Sequence, residues 1–190
     1  MFRELSLVYY NRGMQLAKNS RLGSAVQSLG KAISYDSSFI EAWNLIGLCC
    51  YRLGKYQEAD YYWQQSLHRS QAQNAATHYL ADLRGSISQA MPYFAKVEAL
   101  CQQKDYGRAA ALFSTHICAH FHVSVSMLNY LGVLHVLDGK PRKAAKCWTD
   151  VLSIDKDNVE ARRYLNEVES RLVYKLLAMA EKLFKRDETQ

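Results

Sequence analysis

Breakers are scarce in this chain: its 190 residues hold only two prolines and nine glycines. That scarcity argues against a many-turned β protein and against collagen-like or low-complexity sequence. Long apolar runs are missing too. The strongest, Leu45 to Tyr51 and Val133 to Leu137, fall far short of the roughly 20 residues a bilayer core demands, so no membrane span is expected. The start, Met1-Phe2-Arg3-Glu4-Leu5, meets an acidic residue at once and lacks an apolar stretch with a cleavage site, so no secretory signal is expected. The five cysteines at 49, 50, 101, 118 and 147 form an odd set without a C-x-x-C pair. They point to reduced thiols in a cytoplasmic setting, used as small core hydrophobes.

Motifs of chemistry are also lacking. No phosphate loop, nucleophile elbow or dinucleotide fingerprint occurs, so neither a cofactor nor an enzyme activity is expected. The one dense group of donors is His116-Ile117-Cys118-Ala119-His120-Phe121-His122. His116 and His120 stand four apart and would share one face of a helix, but no carboxylate completes a ligand set, so no metal is expected there. Lys and Arg number 24 against 18 Asp and Glu, a net charge of +6. The excess is spread along the chain rather than gathered in a run, so nucleic acid is not the expected partner, and a weakly nucleic-acid-associated adaptor is only the third reading.

What the chain does have is helical periodicity, with apolar positions recurring at three and four and short polar interruptions every fifteen to twenty residues. It also repeats itself. Tyr9, Gly13, Leu16, Ala25, Leu29 and Ala32 align with Trp43, Gly47, Cys50, Ala59, Trp63 and Ser66 at a constant offset of 34 residues. Leu128, Leu131, Gly132, Ala144, Trp148 and Val151 carry the same spacing, and Tyr93, Val97, Leu100, Ala109 and Phe113 a fainter copy. Small residues paired at 13 with 25, 47 with 59 and 132 with 144 would let the two helices of a hairpin approach closely. Leu29, Trp63, Phe113 and Trp148 would fill the space between neighbouring hairpins.

The second copy, Trp43, Ile46, Gly47, Ala59 and Trp63, resembles the tetratricopeptide repeat, whose unit is 34 residues with the pattern W-x2-L-G-x2-Y, then A-x3-F, then P. The resemblance implies an all-α fold: a right-handed α-solenoid of helix-turn-helix repeats over about 6–39, 40–73, 90–124 and 125–158, with a long C-terminal capping helix over 159–186. Arg12 departs from the pattern in the first copy, and no copy has the final proline. Residues 74–89 are additional, because the equivalent positions Gly47 and Val97 lie 50 apart. They are expected to lengthen the second repeat's B helix or form a short extra helix ending at Gly85-Ser86.

Solenoids of this kind present a concave face built from their A helices. The outward faces of those helices give a candidate peptide-binding groove of Tyr10, Met14, Asn44, Leu48, Tyr51, Phe94, Asn129 and Val133. The asparagines can donate to and accept from a ligand backbone, and the others supply apolar area. The family's clamp for carboxylate-terminated chaperone tails would need Lys, Asn and Arg, but the matching positions are Tyr10, Met14, Leu45, Met91 and Ala95, so that ligand is not expected. The expected function is therefore a non-enzymatic scaffold or adaptor that binds a peptide or helical segment of a protein. The alternative is a self-assembling subunit, a homo-oligomer held by Leu176, Met179, Leu183 and Phe184, whose apolar stripe exceeds what capping one repeat needs.

Overall fold

A computed structural model of the chain describes residues 2–70 and 72–171. Its helices are α1 (Phe2–Lys18), α2 (Leu22–Tyr35), α3 (Ile40–Leu53), α4 (Tyr56–Arg69), α5 (Ala76–Gln102), α6 (Tyr106–Leu112), α7 (Val125–Leu137) and α8 (Pro141–Ile154). A ninth, α9, runs over 159–171, and no strand occurs among the described residues. Helices α1/α2, α3/α4 and α7/α8 pair as antiparallel hairpins, and α2 packs on α3, α4 on α5 and α6 on α7. The fold is an all-α solenoid of stacked hairpins.

The repeated small residue explains how tightly each hairpin closes. A Cβ on Gly13 would stand 2.5 Å from Leu29 Cγ, one on Gly132 2.8 Å from Trp148 Cε2, and one on Gly47 would collide with the Trp63 indole. Leu29, Trp63, Phe113 and Trp148 are all buried, as the repeat requires. Backbone carbonyls serve as partners along the seams: Trp63 Nε1 donates to Asn44 O at 3.2 Å, Ser6 Oγ to Ala32 O at 2.9 Å and Ser28 Oγ to Tyr9 O at 2.9 Å. One large core runs through the first three hairpins and takes in Met127 and Leu134 of α7, and a smaller one joins α7, α8 and α9; Leu53 and Ile154 pack against both.

The extra residues do not form the structure expected of them. The helix begins at Ala76 and continues without a stop through Gly85-Ser86 and Pro92, so 76–89 extend the third repeat's A helix instead of the second repeat's B helix. Two causes are visible. Buried Asn74 starts the helix by accepting the Ala76 N–H at 3.0 Å, while its amide holds Ser66 Oγ and Ser70 O, which ends α4 nearby. Gly85 meets nothing within 4 Å, so it lowers only intrinsic propensity, by about 1 kcal/mol, which is too little to stop a buried helix. At 27 residues α5 spans about 40 Å. Its first half lies on α4, with Tyr79 5.3 Å from Trp63 and Arg84 paired to Asp60 at 3.1 Å. Its second half lies on the third B segment, where Tyr93 stacks on His116 at 4.5 Å. That B segment is short: α6 gives way to a π-helical turn at Phe113–Ile117 and a 3₁₀ turn at Cys118–His120.

The stack also closes on itself. Tyr56 OH bonds Ser124 Oγ at 2.9 Å, the Tyr56 and Phe121 rings lie 5.1 Å apart, and Ser126 presses into the turn made by Gly54, whose φ of 81° suits glycine. One hairpin earlier, the turn before α2 grips the turn after α8. Leu22 N–H donates to buried Asp155 Oδ1 at 3.0 Å, Lys156 N–H to Ser20 O at 2.7 Å, and Ser24 Oγ to Asp157 Oδ2 at 2.8 Å. Arg21 bridges Asp157 at 2.9 Å. Arg21 sits at the N-cap of α2 without a side-chain cap bond, so the free amide at that terminus is satisfied by a carboxylate 133 residues away.

Candidate functional site

Closure leaves a cavity of about 960 Å3 on the inner side, walled by α3, α4, the first half of α5 and residues 119–122. Leu48, Tyr51 and Arg52 reach it from one turn of α3, because spacings of three and four share a helix face. Tyr79, Asp82, Leu83, Ser86 and Gln89 reach it from α5 in the same way. An aromatic wall backs it: Tyr51 lies 6.0 Å from Trp63, Trp63 5.3 Å from Tyr79, and Tyr51 6.3 Å from His122. Extended backbone at Phe121 puts His120 and His122 on the same side, and His122 N–H donates to Tyr51 OH at 3.3 Å. Arg52 and Asp82 oppose each other in sign, so the floor is apolar and the rim carries both charges. A volume of this size matches a site that takes several ligand side chains.

Of the residues expected in one groove, the structure brings Leu48 and Tyr51 together here. The others are dispersed. Phe94, 42% exposed, lines a separate cavity of about 430 Å3 with Tyr56, Glu98 and Tyr130. Val133, 45% exposed, lines a third of about 790 Å3 between α7, α8 and α9. Tyr10 packs on Phe39 at 4.6 Å within the main core, and burial pushes its hydroxyl pKa up, with Glu41 adding to the shift. Met14 is half-buried on α1. The Asn44 amide is held by Asn74 Oδ1 at 3.0 Å, and Asn129 keeps a buried Oδ1 with no hydrogen-bond partner among the described residues. Leu176, Met179, Leu183 and Phe184 lie outside the described residues, as does the expected helix beyond 171.

The four-residue spacing of His116 and His120 does not act as one helix face, because π and 3₁₀ turns replace the α period between them. His116 is taken up by Tyr93, and His120 lines the large cavity. Burial pushes the Cys49 and Cys50 thiols up to about 12, with Glu58 adding to the shift at Cys50, so neither is a thiolate at neutral pH. Sequence reasoning missed Tyr79, Asp82 and Gln89 as walls. The signal was the 50-residue spacing between Gly47 and Val97, which showed added chain but not the side it would cover.

A family model described as tetratricopeptide repeat matches residues 40–71, the segment of α3 and α4 in which Gly47 meets Trp63. That segment is similar to the tetratricopeptide repeat. Among solved structures, the tetratricopeptide-repeat domain of P58(IPK) aligns with 93% of the chain at a TM-score of 0.63 and 19% identity. The chain spans about half of that domain, 48% of its length. MamA from Desulfovibrio magneticus RS-1, residues 41 to the end, aligns more loosely at a TM-score of 0.41 and 15% identity, covering 100% of this chain and 99% of that one. YrrB, described as a tetratricopeptide-repeat protein with an unusual peptide-binding site, aligns at 0.40 and 18% identity, covering 82% of this chain and 89% of that one. No curated protein matches the sequence. Among the described residues, no helix of this repeat chain is long and apolar enough to cross a membrane, and no group of three or more His, Cys, Asp or Glu is placed to hold a metal ion.

Proposed function

We propose that this repeat chain is a non-enzymatic scaffold or adaptor, working in the cytoplasm, that holds a short segment of another protein in the cavity between α3, α5 and residues 119–122. One observation carries the reading: Leu48 and Tyr51, picked out as groove residues by the repeat register alone, meet in a cavity of about 960 Å3 that no described side chain fills. The wall chemistry suits a peptide. Tyr51, Tyr79 and His122 offer flat amphipathic faces for apolar side chains, while Gln89 and Ser86 can pair with a ligand's backbone. Arg52 and Asp82 at the rim would favour a segment carrying both charges over a uniformly charged one. All five cysteines are free, which fits a reducing compartment.

The test is selection of binders from a displayed random peptide library, followed by affinity measurement on Leu48→Glu. An anchor of this kind contributes about 2 kcal/mol, so Leu48→Glu is expected to weaken selected peptides roughly thirtyfold. Peptides that bind wild type and Leu48→Glu equally would place recognition elsewhere.

A further inference from the structure

Away from the inner cavity, aromatic rings from four separate segments gather around one carboxylate. Tyr56 opens α4, Phe94 and Glu98 lie one turn apart on α5, Phe113 follows α6, and Tyr130 comes from α7; all five line the cavity of about 430 Å3. Three of the rings are held by their neighbours. Phe113 is buried and lies 4.7 Å from the Tyr130 ring, and Tyr56 is fixed by its bond to Ser124 Oγ and by the Phe121 ring 5.1 Å away. Phe94 differs, being exposed and in contact with no other ring among the described residues, so neither burial nor stacking accounts for an aromatic there. Glu98 is the one charged residue of the wall, and among the described residues it makes no ion pair or hydrogen bond. Burial pushes the Tyr130 hydroxyl up to about 12, with Cys101 and then Glu98 adding to the shift, so the ring stays a neutral phenol at neutral pH.

We propose that this cavity binds a quaternary ammonium group, with Tyr56, Phe94, Phe113 and Tyr130 supplying ring faces and Glu98 the counter-charge. The negative face of an aromatic ring attracts a cation, and the attraction grows as water is excluded. An unmethylated ammonium would have to give up a strong hydration shell and find acceptors for three N–H groups. A quaternary ammonium has no N–H to satisfy and spreads its charge over methyl groups, so rings and one carboxylate suffice. An anion would face Glu98 directly, and a neutral apolar ligand would cover that carboxylate with hydrocarbon at a desolvation cost. Choline and the side chain of trimethyllysine both carry the group. This inference is independent of the peptide reading, which concerns the cavity at Leu48.

The experiment titrates the full chain, followed by NMR, with choline, with N-acetyl-trimethyllysine amide and with the neutral alcohol in which carbon replaces the choline nitrogen. At least one cation is expected to bind about tenfold or more tightly than the neutral isostere, the size of effect that ring faces and a counter-charge produce together. The tighter of the two cations identifies the source, a modified protein or a free small molecule, and either result supports the cage. Equal binding of the isostere would overturn the proposal, as would the failure of both cations to bind at millimolar concentration. Phe94→Leu keeps apolar bulk at an exposed position but removes the ring face, and is expected to weaken binding about fivefold. Glu98→Gln is expected to weaken it by a similar factor. Wild-type affinity in either variant contradicts the proposal.

Discussion

At the scale of single residues, the glycines of this chain divide by what lies opposite them. Gly47 faces the Trp63 indole, which is 2% exposed and has no room to retreat. Gly47→Ala gains about 1 kcal/mol of helix propensity but must displace that indole, and overpacking of this kind costs about 1–3 kcal/mol. The expected net effect is a lower urea midpoint. Gly85→Ala is the internal comparison: nothing lies within 4 Å, so the same propensity gain of about 0.5–1 kcal/mol should appear as a raised midpoint. If both substitutions shift the midpoint in the same direction, close approach is not what selects glycine at 47. This layer was legible in the sequence. Gly13, Gly47 and Gly132 recur in one register with Leu29, Trp63 and Trp148, and local spacing alone determines which meets which.

At the scale of elements, α5 shows where sequence reading reached its limit. The 16 residues by which the third copy is displaced, 50 less 34, were countable, and their helical character was visible in Ala76, Tyr79, Leu80 and Leu83. Whether they belonged to the helix before or the helix after was not, because Asn74 decides it through bonds to Ser66 and Ser70 on one side and Ala76 and Asn44 on the other. No periodicity encodes a buried amide that joins two elements. Asn74→Ala therefore removes a helix cap and leaves the Asn44 amide without its acceptor, and the expected loss is about 2–3 kcal/mol in chemical denaturation. A loss below about 0.5 kcal/mol, the level of an ordinary surface change, would contradict this role. The histidines show the same limit, since four-residue spacing implies a shared face only while the helix stays α, and the turn at Phe113–Ile117 does not.

At the scale of the whole molecule, four stacked hairpins could form an open arc, but here the first and last are clasped. Nothing in the spacing of Arg21, Asp155 and Asp157 announces this, because they meet only after more than 130 residues of accumulated rotation. The clasp has a definite pH response. Asp157 is held below the ordinary carboxylate pKa by hydrogen bonds from Arg21 and Ser24, so its contribution is complete above the unfolded value of 3.8 and fades as pH falls through the lower folded value. The closed form is therefore expected to persist from neutral pH to about pH 4 and to loosen only below it. Next to the inner cavity the second hairpin makes two contacts of the same kind: His122 N–H reaches Tyr51 OH at 3.3 Å, and Ser124 Oγ bonds Tyr56 OH at 2.9 Å.

The most direct measurement is amide hydrogen exchange, by NMR at neutral pH, of Leu22 and Lys156. Both are placed just outside their helices' hydrogen-bond ladders, and their partners are Asp155 Oδ1 and Ser20 O across the clasp, at 3.0 and 2.7 Å. A closed stack predicts that both amides exchange at least a hundredfold more slowly than free chain, and that Asp155→Ala releases them together while leaving the interior of α3 protected. If both exchange as fast as unstructured peptide in the wild type, the first and last hairpins are not clasped and the closed stack is contradicted.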